Sequence, residues 1–441
     1  MALAERCDLH GIVAERLHIP TDKGANASGK VATVVAGMLT GADSIDDLDV
    51  VRHGGMPMLF GGVYAPSTLG EFLRAFSHGH VRQLQSASRE FLVQLARHTP
   101  LLPGAGAVTF IDVDSLLRRV YGKQKQGAAF GHAKVGGYQV LLRGLNPLVA
   151  TISTPDAAPV IAATQLRAGN AGSARGAAAL IAEAVTTTRA VLAAQPPAVM
   201  GEIVVRADSA FYGRKVIAAC GRAGVRFSVT VRMDAKVRRV IDAIPAEAWV
   251  EIEYPHPIWD EEQQRFVSRA HIAETTYTAF EDTDDAVTAR LIARRIPDLN
   301  KTQVDEQGEL FTVWRYHAAF TDSPFVLVQA EEQHRAHAIV EQVFAELIDG
   351  PLAHLPSGRF TANNAWLTCI AIAHNLTRAA ATLAGRRYAT ARAATIRRHV
   401  INVAGRIARH ARAVTIHLPQ HWPWQHSWQQ LWDAVHPPST Y

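Results

Sequence analysis

The chain has 441 residues, of which 48% are hydrophobic and 19% charged, and its formal net charge is +5. This length exceeds what a single hydrophobic core ordinarily holds, so we expect two or three structural units. No apolar run approaches the roughly 20 residues needed to cross a bilayer, which argues against a membrane protein. The three cysteines are widely separated and form no CxxC pair, which argues against a disulfide framework or a cysteine-based zinc site.

The first hundred residues predict helices. Ser44 precedes an acidic stretch as a helix cap would, and in APSTLGEFLRAF either Ser67 or Thr68 is positioned to cap an amphipathic run. The following segment, HVRQLQSASREFLVQLARH, keeps its apolar residues on one face. The start of the chain lacks the basic-then-apolar pattern of a signal peptide, so we expect a cytoplasmic protein.

From residue 104 the pattern changes to strands. AVTFIDVDS, GGYQVLLRG and PLVATIST predict three strands, followed by an alanine-rich helix that ends before Pro196 and Pro197. A fourth strand, EIVVRAD, a helix over residues 212–223 and a fifth strand, RFSVTVRM, come next. This succession is that of a mixed α/β, RNase H-like core.

The rest of the chain predicts an insertion and a helical end. Residues 234–323 are irregular and partly β, and EEQHRAHAIVEQVFAELI then predicts a helix with an apolar stripe. Further helices are predicted over residues 364–383 and 389–411. The expected units are a helical DNA-binding region (1–103), the first part of the core (104–233), a β-rich insertion (234–323), the second part of the core (324–385) and a basic helical C-terminal region (386–441).

The C-terminal part of the sequence is strongly basic. No Asp or Glu lies between Gly350 and Trp432, whereas ten arginines do: Arg359, Arg378, Arg386, Arg387, Arg392, Arg397, Arg398, Arg406, Arg409 and Arg412. Clustered arginines that neutralise phosphates give strong, salt-sensitive binding to nucleic acid. A solvated, arginine-rich helical tail would produce the same pattern.

Four acids fall where phosphodiester chemistry would need them. Two-metal cleavage requires carboxylates that converge on two Mg²⁺ ions. Asp112 and Asp114 share one face of the first strand, Asp208 ends the fourth strand, and Glu341 lies on the late helix. We favour Asp114 as the first metal ligand, with Asp112 as the second choice.

Several long segments resemble a known family. RADSAFYGRKVIAACGRAGVRFSVTVRMD, GELFTVWRYHAAFTDSP and GPLAHLPSGRFTANNAWL are similar to transposases of insertion-sequence family 1380, in the transposase DDE domain group 1, and the likeness runs from about residue 35 to 385. The resemblance implies an RNase H-like domain interrupted by a β-rich insertion. It also implies that Asp114, Asp208 and Glu341 hold two Mg²⁺ ions, for which Mn²⁺ can substitute.

The resemblance implies a cut-and-paste reaction on double-stranded DNA, in which hydrolysis at the inverted-repeat ends is followed by attack of each freed 3′-hydroxyl on target DNA. A homodimer on DNA is the expected assembly. Related families place Tyr, Arg, Glu and Lys along the Glu-bearing helix, where this chain has His334, His337, Glu341 and Ile348. The expected DNA contacts are His334, Arg335, His337, Arg359, Trp259, Arg386, Arg387, Arg397 and Arg398.

Trp259 lies in a predicted hairpin of the insertion, where related enzymes use an aromatic residue to stack on a flipped base; a buried core tryptophan is the alternative. Two other functions fit the same acids. A structure-specific RNase H-like nuclease would cut without joining strands, and a domesticated DNA-binding protein would do neither.

Overall fold

A computed structural model describes residues 1–122, 124–135, 138–198, 201–260, 264–304, 310–410 and 413–436. The helices of this part of the chain are α1 Ala2–Arg6, α2 Leu9–Arg16, α3 Ala27–Thr40, α4 Pro66–Arg74, α5 His78–His98, α6 Ala177–Ala194, α7 Arg214–Ala223, α8 Ala235–Asp242, α9 Leu327–Arg335, α10 Ile339–Ile348, α11 Phe360–Leu383, α12 Arg386–Ala389, α13 Ala393–Ile396 and α14 Gln425–Val435. The strands are β1 Val108–Ser115, β2 Arg118–Arg119, β3 Ala129–Val135, β4 Tyr138–Thr154, β5 Ala157–Ala168, β6 Glu202–Ala207, β7 Arg226–Thr230, β8 Val250–Asp260, β9 Arg265–Ala279, β10 Val287–Val304, β11 Leu310–Thr321, β12 Arg406–His410 and β13 Ala413–His417. The chain is therefore a mixed α/β protein.

The helical N-terminal region is confirmed, with one change in where a helix begins. Helix α5 starts after Ser77, whose hydroxyl accepts from the His80 amide while the His80 ring accepts from the Ser77 amide, which forms a capping box. Helix α4 starts at Pro66, because a proline at the first helical position has its φ angle preset and has no amide hydrogen to satisfy. Neither Ser67 nor Thr68 caps it.

Eleven of the described strands form one sheet, with the order β2-β4-β1-β6-β7-β11-β10-β9-β8, and β3 and β5 both pair with β4. Strand β1 pairs antiparallel with β4 and parallel with β6, and β6 pairs parallel with β7. The carboxyl ends of β1, β6 and β7 therefore lie at the same edge. This edge is where polar side chains that follow the strands can meet.

The second and third predicted strands were divided wrongly. GGYQVLLRG and PLVATIST are parts of one long strand, β4, and the third strand is β5, which the sequence did not predict. Pro147 does not interrupt β4, because its carbonyl accepts from the Leu116 amide at a point between the segments of β4 that pair with β1 and β2. A proline is tolerated in a strand where no ladder hydrogen bond needs its missing N–H.

The β-rich stretch after residue 234 consists of the four antiparallel strands β8 to β11. The last three described positions of β11, residues 319–321, pair antiparallel with Thr230, Val229 and Ser228 of β7. These strands therefore extend the main sheet.

The helix predicted over EEQHRAHAIVEQVFAELI is broken into two. Helices α9 and α10 are separated by a 3₁₀ turn over Ala336–Ala338. The predicted apolar stripe is largely confirmed, since Val340, Val343, Phe344 and Leu347 of α10 are buried. The break allows α9 to pack against β9 of the inserted strands while α10 packs against β1 and β5.

The helix predicted over residues 389–411 was wrong. After α13 and a π-helical turn over Arg397–Ile401, the chain forms the antiparallel pair β12 and β13. Asn402 leaves the helical region with φ −88° and ψ 59°. Its side chain donates to the Thr40 carbonyl at 3.0 Å, which fastens this exit to the end of α3.

Helix α11 lies at the centre of the molecule and is buried along most of its length. It packs against α3, α4 and α5 of the N-terminal region and against β5 of the sheet. One contiguous apolar core runs from Leu3 to Ala379 and includes the inner faces of both regions. The N-terminal helices and the sheet are thus packed together.

One described helix, α6, is long and apolar enough to cross a membrane, and half of it is buried inside the protein. It packs against α5, α7, β4 and β5. The core helix of a globular fold has these same properties.

A buried histidine of α11 makes the fold sensitive to acid. The Nε2–H of His374 donates to the Pro159 carbonyl at 2.9 Å. Burial, reinforced by the charge of Arg378, lowers the pKa of His374 to about 3. Between pH 6.5 and about 3 the unfolded chain therefore binds a proton that the folded chain does not, so the free energy of unfolding falls by about 1.4 kcal/mol for each pH unit of acidification.

We expect His374→Gln to reduce this acid sensitivity, because glutamine can donate to the same carbonyl and does not titrate. Urea unfolding at pH 7.0 and pH 5.0 should show a loss roughly 2 kcal/mol smaller in the variant than in the wild-type protein. The exposed His10 supplies the control, and His10→Gln should behave as the wild type does. Equal pH dependence in His374→Gln and the wild type would contradict the assignment.

Candidate active site

Asp114 and Asp208 lie at neighbouring positions on the sheet edge. The parallel register pairs Asp112 with Arg206 and Val113 with Ala207, so Asp114 is level with Asp208 at the end of the adjacent strand. Adjacent strands are about 4.8 Å apart, and residues level with each other lie on the same face. The sheet therefore brings together two of the predicted carboxylates.

Glu341 reaches the same region from a helix. It is exposed in the first turn of α10, and α10 packs against β1, the strand that carries Asp114. Its negative charge is also among those that raise the pKa of Asp114, described next. The third predicted acid thus approaches the pair formed by the sheet.

Burial, together with the negative charges of Asp208 and Glu341, raises the pKa of Asp114 to about 6. The Ser115 amide, which donates to Asp114 Oδ1 at 2.6 Å, and the charge of His337 act in the opposite direction. A carboxylate in this position is short of positive charge. A divalent cation would relieve that shortage.

The donor chemistry fits Mg²⁺ or Mn²⁺, both of which prefer carboxylate oxygens. The Asp208 side chain accepts a local hydrogen bond from the Ala210 amide at 2.9 Å. Within the described ranges, no group of three or more Asp, Glu, His or Cys side chains is assembled closely enough to hold a metal ion. The three acids therefore lie in the same region, but their side chains are not arranged as a complete set of metal ligands.

Asp112 is engaged in a buried ion pair. Arg206 Nε and Nη2 lie 2.7 and 2.8 Å from its two carboxylate oxygens, and the Ser153 hydroxyl donates to Oδ2 at 2.9 Å. Burial alone would raise the pKa of Asp112, but the charge of Arg206 and the hydrogen bonds from His337 and Arg206 outweigh it and hold the pKa at about 2. Both oxygens are therefore occupied.

Two predicted DNA contacts on the late helix are bonded inside the protein instead. His337 Nδ1 donates to Asp112 Oδ1 at 2.9 Å. His334 lies between two hydroxyls of β7, with Nδ1 2.9 Å from Ser228 Oγ and Nε2 2.9 Å from Thr230 Oγ1. Burial, together with the charges of His337 and Arg206, lowers the pKa of His334 to about 3. His334 is therefore neutral near pH 7 and is not available as a protonated phosphate contact.

Sequence reasoning missed Arg206 as part of this arrangement. Its guanidinium pairs with Asp112, lies 3.8 Å from the centre of the Phe110 ring, and donates through Nη1 to the Gln333 carbonyl at 2.5 Å. It thus connects β1 and β6 with the end of α9. The signal was present, because Arg206 precedes Asp208 by two residues just as Asp112 precedes Asp114.

Arg167 of β5 was also missed. It donates to the Asn146 side chain at 2.6 Å and to the carbonyls of Gly172, Ser173 and Arg175. Burial lowers its pKa to about 10, and the negative charge of Asp114 opposes that shift. A buried guanidinium therefore lies within electrostatic range of the acid site, and nothing in its sequence context distinguished it.

The other predicted DNA contacts are distributed over several surfaces. Arg386, Arg387 and Arg398 are exposed, as is Arg359, whose Nη1 donates to the Arg74 carbonyl at 2.9 Å. Arg397 is half-buried against Gly41 and Gly350, and burial lowers its pKa. Arg412 lies outside the described residues.

Arg335 contacts the inserted strands, and Trp259 is one of their residues. Arg335 pairs with Glu331 at 3.3 Å and stacks 4.5 Å over the Tyr254 ring of β8. Trp259, near the tip of the β8–β9 hairpin, is 46% exposed and contacts Phe266 edge to face, with ring centres 5.1 Å apart. The predicted hairpin is confirmed, and Trp259 is not a buried core residue.

The comparison with known families agrees with this arrangement. The sequence profile of a family described as transposase DDE domain group 1 matches residues 25–439, which include all three acids and the strands and helix that carry them. No curated protein matches the chain. Because the matched segment covers nearly the whole sequence, the chain belongs to the transposase DDE domain group 1 family.

Proposed function

We propose that this protein cuts the ends of an insertion sequence and joins the freed 3′ ends to target DNA, as a transposase of insertion-sequence family 1380. The observation that carries the proposal is that Asp114 and Asp208 are level on neighbouring strands, with Glu341 on the helix that packs against β1. Family membership supports transposition and DNA substrates in general. The particular reaction is our inference from the site.

The proposed core is RNase H-like. The strand order β5-β4-β1-β6-β7 supports this, because β4 is antiparallel to both β1 and β5, and β6 and β7, which follow helices α6 and α7, are parallel to β1. Strands β8 to β11 would then be an insertion between the second Asp and the Glu. This is the arrangement that the family resemblance implies.

Asp114, Asp208 and Glu341 would hold two Mg²⁺ ions, which when bound activate water and stabilise the leaving oxygen of the phosphodiester. The partly buried Asp114 would supply a ligand that cannot easily move, because the Ser115 amide fixes one of its oxygens. Glu341 is exposed on α10 and is free to move towards the two aspartates. Asp112 would position β1 and not bind metal, since Arg206, Ser153 and His337 occupy it.

The proposed substrate is double-stranded DNA with inverted-repeat ends, held by a homodimer of this chain in the cytoplasm. Arg359, Arg386, Arg387 and Arg398 are exposed and suited to phosphate contacts. His334 and His337 would act by holding α9 and α10 to the sheet. Ile348 replaces the lysine expected on α10, so phosphate contacts from that helix must come from neighbouring residues.

One assay separates this function from its alternatives. Purified protein, DNA carrying the ends of its own element and Mg²⁺ should give both cleaved ends and joined products. Cleavage without joining would favour a structure-specific nuclease. Binding with neither reaction would favour a domesticated DNA-binding protein.

Trp259 is proposed to stack on a base flipped out of a hairpin at the element end. Its exposure near the β8–β9 tip makes this contact possible. Base stacking on an aromatic residue contributes roughly 1–3 kcal/mol, so Trp259→Ala should reduce hairpin formation on nicked ends by about 5- to 150-fold. Trp432→Ala removes another exposed tryptophan, on α14, and should have no effect. Unchanged hairpin formation by Trp259→Ala would exclude the stacking role.

A further inference from the structure

Two adjoining cavities form a groove beside the strand that leads away from Asp114. The first has a volume of about 570 Å³ and lies between α4, β2 and the loop before α11. The second, of about 490 Å³, lies over β3 and β4. Both are lined by Arg119, Val120 and Tyr121, so the two cavities adjoin, and we call them together the basic groove.

The basic groove is rich in positive charge. It is lined by the cations Arg74, Arg119, Lys125 and Arg143, and by His354, whose ring is hydrogen-bonded to Asp43. Asp46 is the single acidic residue among the described residues that line it. Such a balance favours a polyanionic ligand.

Aromatic and apolar side chains lie beside these cations. Tyr121 is 69% exposed and the Arg119 guanidinium lies 4.9 Å from its ring centre. On the β3–β4 pair, Phe130 is opposite Arg143, and both line the groove, as does the exposed Leu141. Exposed rings alternating with arginines form the kind of surface on which nucleic-acid bases stack while their phosphates are neutralised.

The floor of the groove is held by hydrogen bonds. Arg118 and Lys125 donate to the carbonyls of Ala353 and Leu355 in the loop before α11. The Gln126 amide donates to the Gly358 carbonyl at 2.9 Å. These contacts join the segment after β1 to the start of the central helix, so the groove is formed without a ligand.

The groove begins close to the acid site. Strand β4 pairs with Asp114 at Val149 and with Arg118 at Leu145. Four residues of strand span about 13 Å. With about 3.4 Å between successive nucleotides of a strand, this distance corresponds to about four nucleotides.

We infer that the basic groove binds an unpaired DNA strand that continues from the acid site, with one base stacked on Tyr121 and phosphates contacted by Arg119 and Arg143. A single strand exposes both its base faces and its phosphates, and so matches the rings and the arginines together. The inference rests on the proposed function, because DNA cleavage at the acid site is what would supply the unpaired strand.

The test uses the full-length protein without divalent metal, so that binding is measured apart from cleavage. The probes are a fluorescein-labelled 20-nucleotide single strand of mixed sequence and the duplex of the same sequence, followed by fluorescence anisotropy. Loss of one stacked base in Tyr121→Ala should raise the Kd for the single strand by about 5- to 150-fold. Tyr121→Phe should restore it, and Tyr138→Ala, which removes a 78% exposed ring outside the groove lining, should not change it.

The salt dependence supplies a second measurement. Removing one phosphate contact in Arg119→Gln should reduce the slope of log Kd against log salt concentration by about 0.7 for the single strand. Equal single-strand affinity for Tyr121→Ala and the wild type would overturn the inference. An equal loss of duplex binding by Tyr121→Ala would also overturn it. So would a change of this variant from dimer to monomer in sedimentation while its single-strand binding stays intact, since the surface would then join two copies of the chain.

The two proposals can fail separately. If the wild type binds the single strand through Tyr121 but never cuts element ends, the groove assignment stands and the proposed function fails. If it cuts and joins ends while the groove variants bind normally, the function stands and the groove assignment fails.

Discussion

Replacing Arg206 with methionine is expected to lower the free energy of unfolding by about 3–5 kcal/mol, because it leaves the fully buried Asp112 carboxylate without its partner. Asp112→Asn should cost a similar amount, since it leaves Arg206 buried and unpaired. Urea unfolding followed by circular dichroism measures both changes. The exposed Arg222 of α7 gives a matched control, and Arg222→Met should change stability by less than about 0.5 kcal/mol.

The double variant Asp112→Asn/Arg206→Met distinguishes an unpaired buried charge from a general packing defect. If the cost arises from an unpaired buried charge, the double variant should be clearly more stable than the sum of the two single losses predicts. Strictly additive losses would contradict this interpretation. Arg206→Lys should still destabilise the protein, because lysine keeps the charge but cannot make the bidentate hydrogen bond with Asp112.

The second large effect concerns catalysis. Asp114→Asn and Glu341→Gln should each reduce the rate of end cleavage by about 10³-fold or more, because metal ions contribute several kcal/mol to such reactions. Thermal unfolding and affinity for end DNA should change little, since neither side chain forms an ion pair with a described residue. Quantified cleavage on gels measures the rate.

Glu332→Gln is the matched control for these variants. Glu332 is exposed on α9, close to Glu341 in sequence. Its variant should cleave DNA at the wild-type rate. Loss of activity in Glu332→Gln equal to that in Glu341→Gln would mean that negative charge in general, and not Glu341 itself, is what the site requires.

The acid pair on the sheet was predictable because it depends on local rules. Alternation along a strand places Asp112 and Asp114 on one face, and a strand that follows a helix places Asp208 at the same edge. The apolar stripe of α10 similarly indicated the helix that carries Glu341. These patterns do not require knowledge of distant contacts.

The roles of Asp112 and of the two histidines could not be predicted from the sequence in the same way. Asp112 pairs with Arg206 only because the β1–β6 register sets them side by side, and the sequence does not state that register. His334 is neutral because hydroxyls of β7 surround it after folding. Tertiary contacts therefore decided which polar residues of the site are engaged inside the protein.

The errors in the predicted elements have similar causes. Pro147 suggested a break between two strands, but the adjacent strands leave its missing N–H unneeded. The arginine-rich segment after residue 389 resembled a helix in composition. Instead, a hydrogen bond from the Asn402 side chain to the end of α3 holds the point where the helical region ends and the chain continues into the β12–β13 pair. Neither contact can be predicted from the amino-acid composition of the segment in which it occurs.

We propose that Asp114, Asp208 and Glu341 form a metal-dependent site that cuts DNA. The most direct measurement compares wild-type protein and Asp208→Asn on DNA carrying the chain's own element ends, over a range of Mg²⁺ concentrations. We expect Mg²⁺-dependent cleavage and joining by the wild type, and a folded, DNA-binding Asp208→Asn protein that does neither. Cleavage by Asp208→Asn at the wild-type rate would contradict the proposed site.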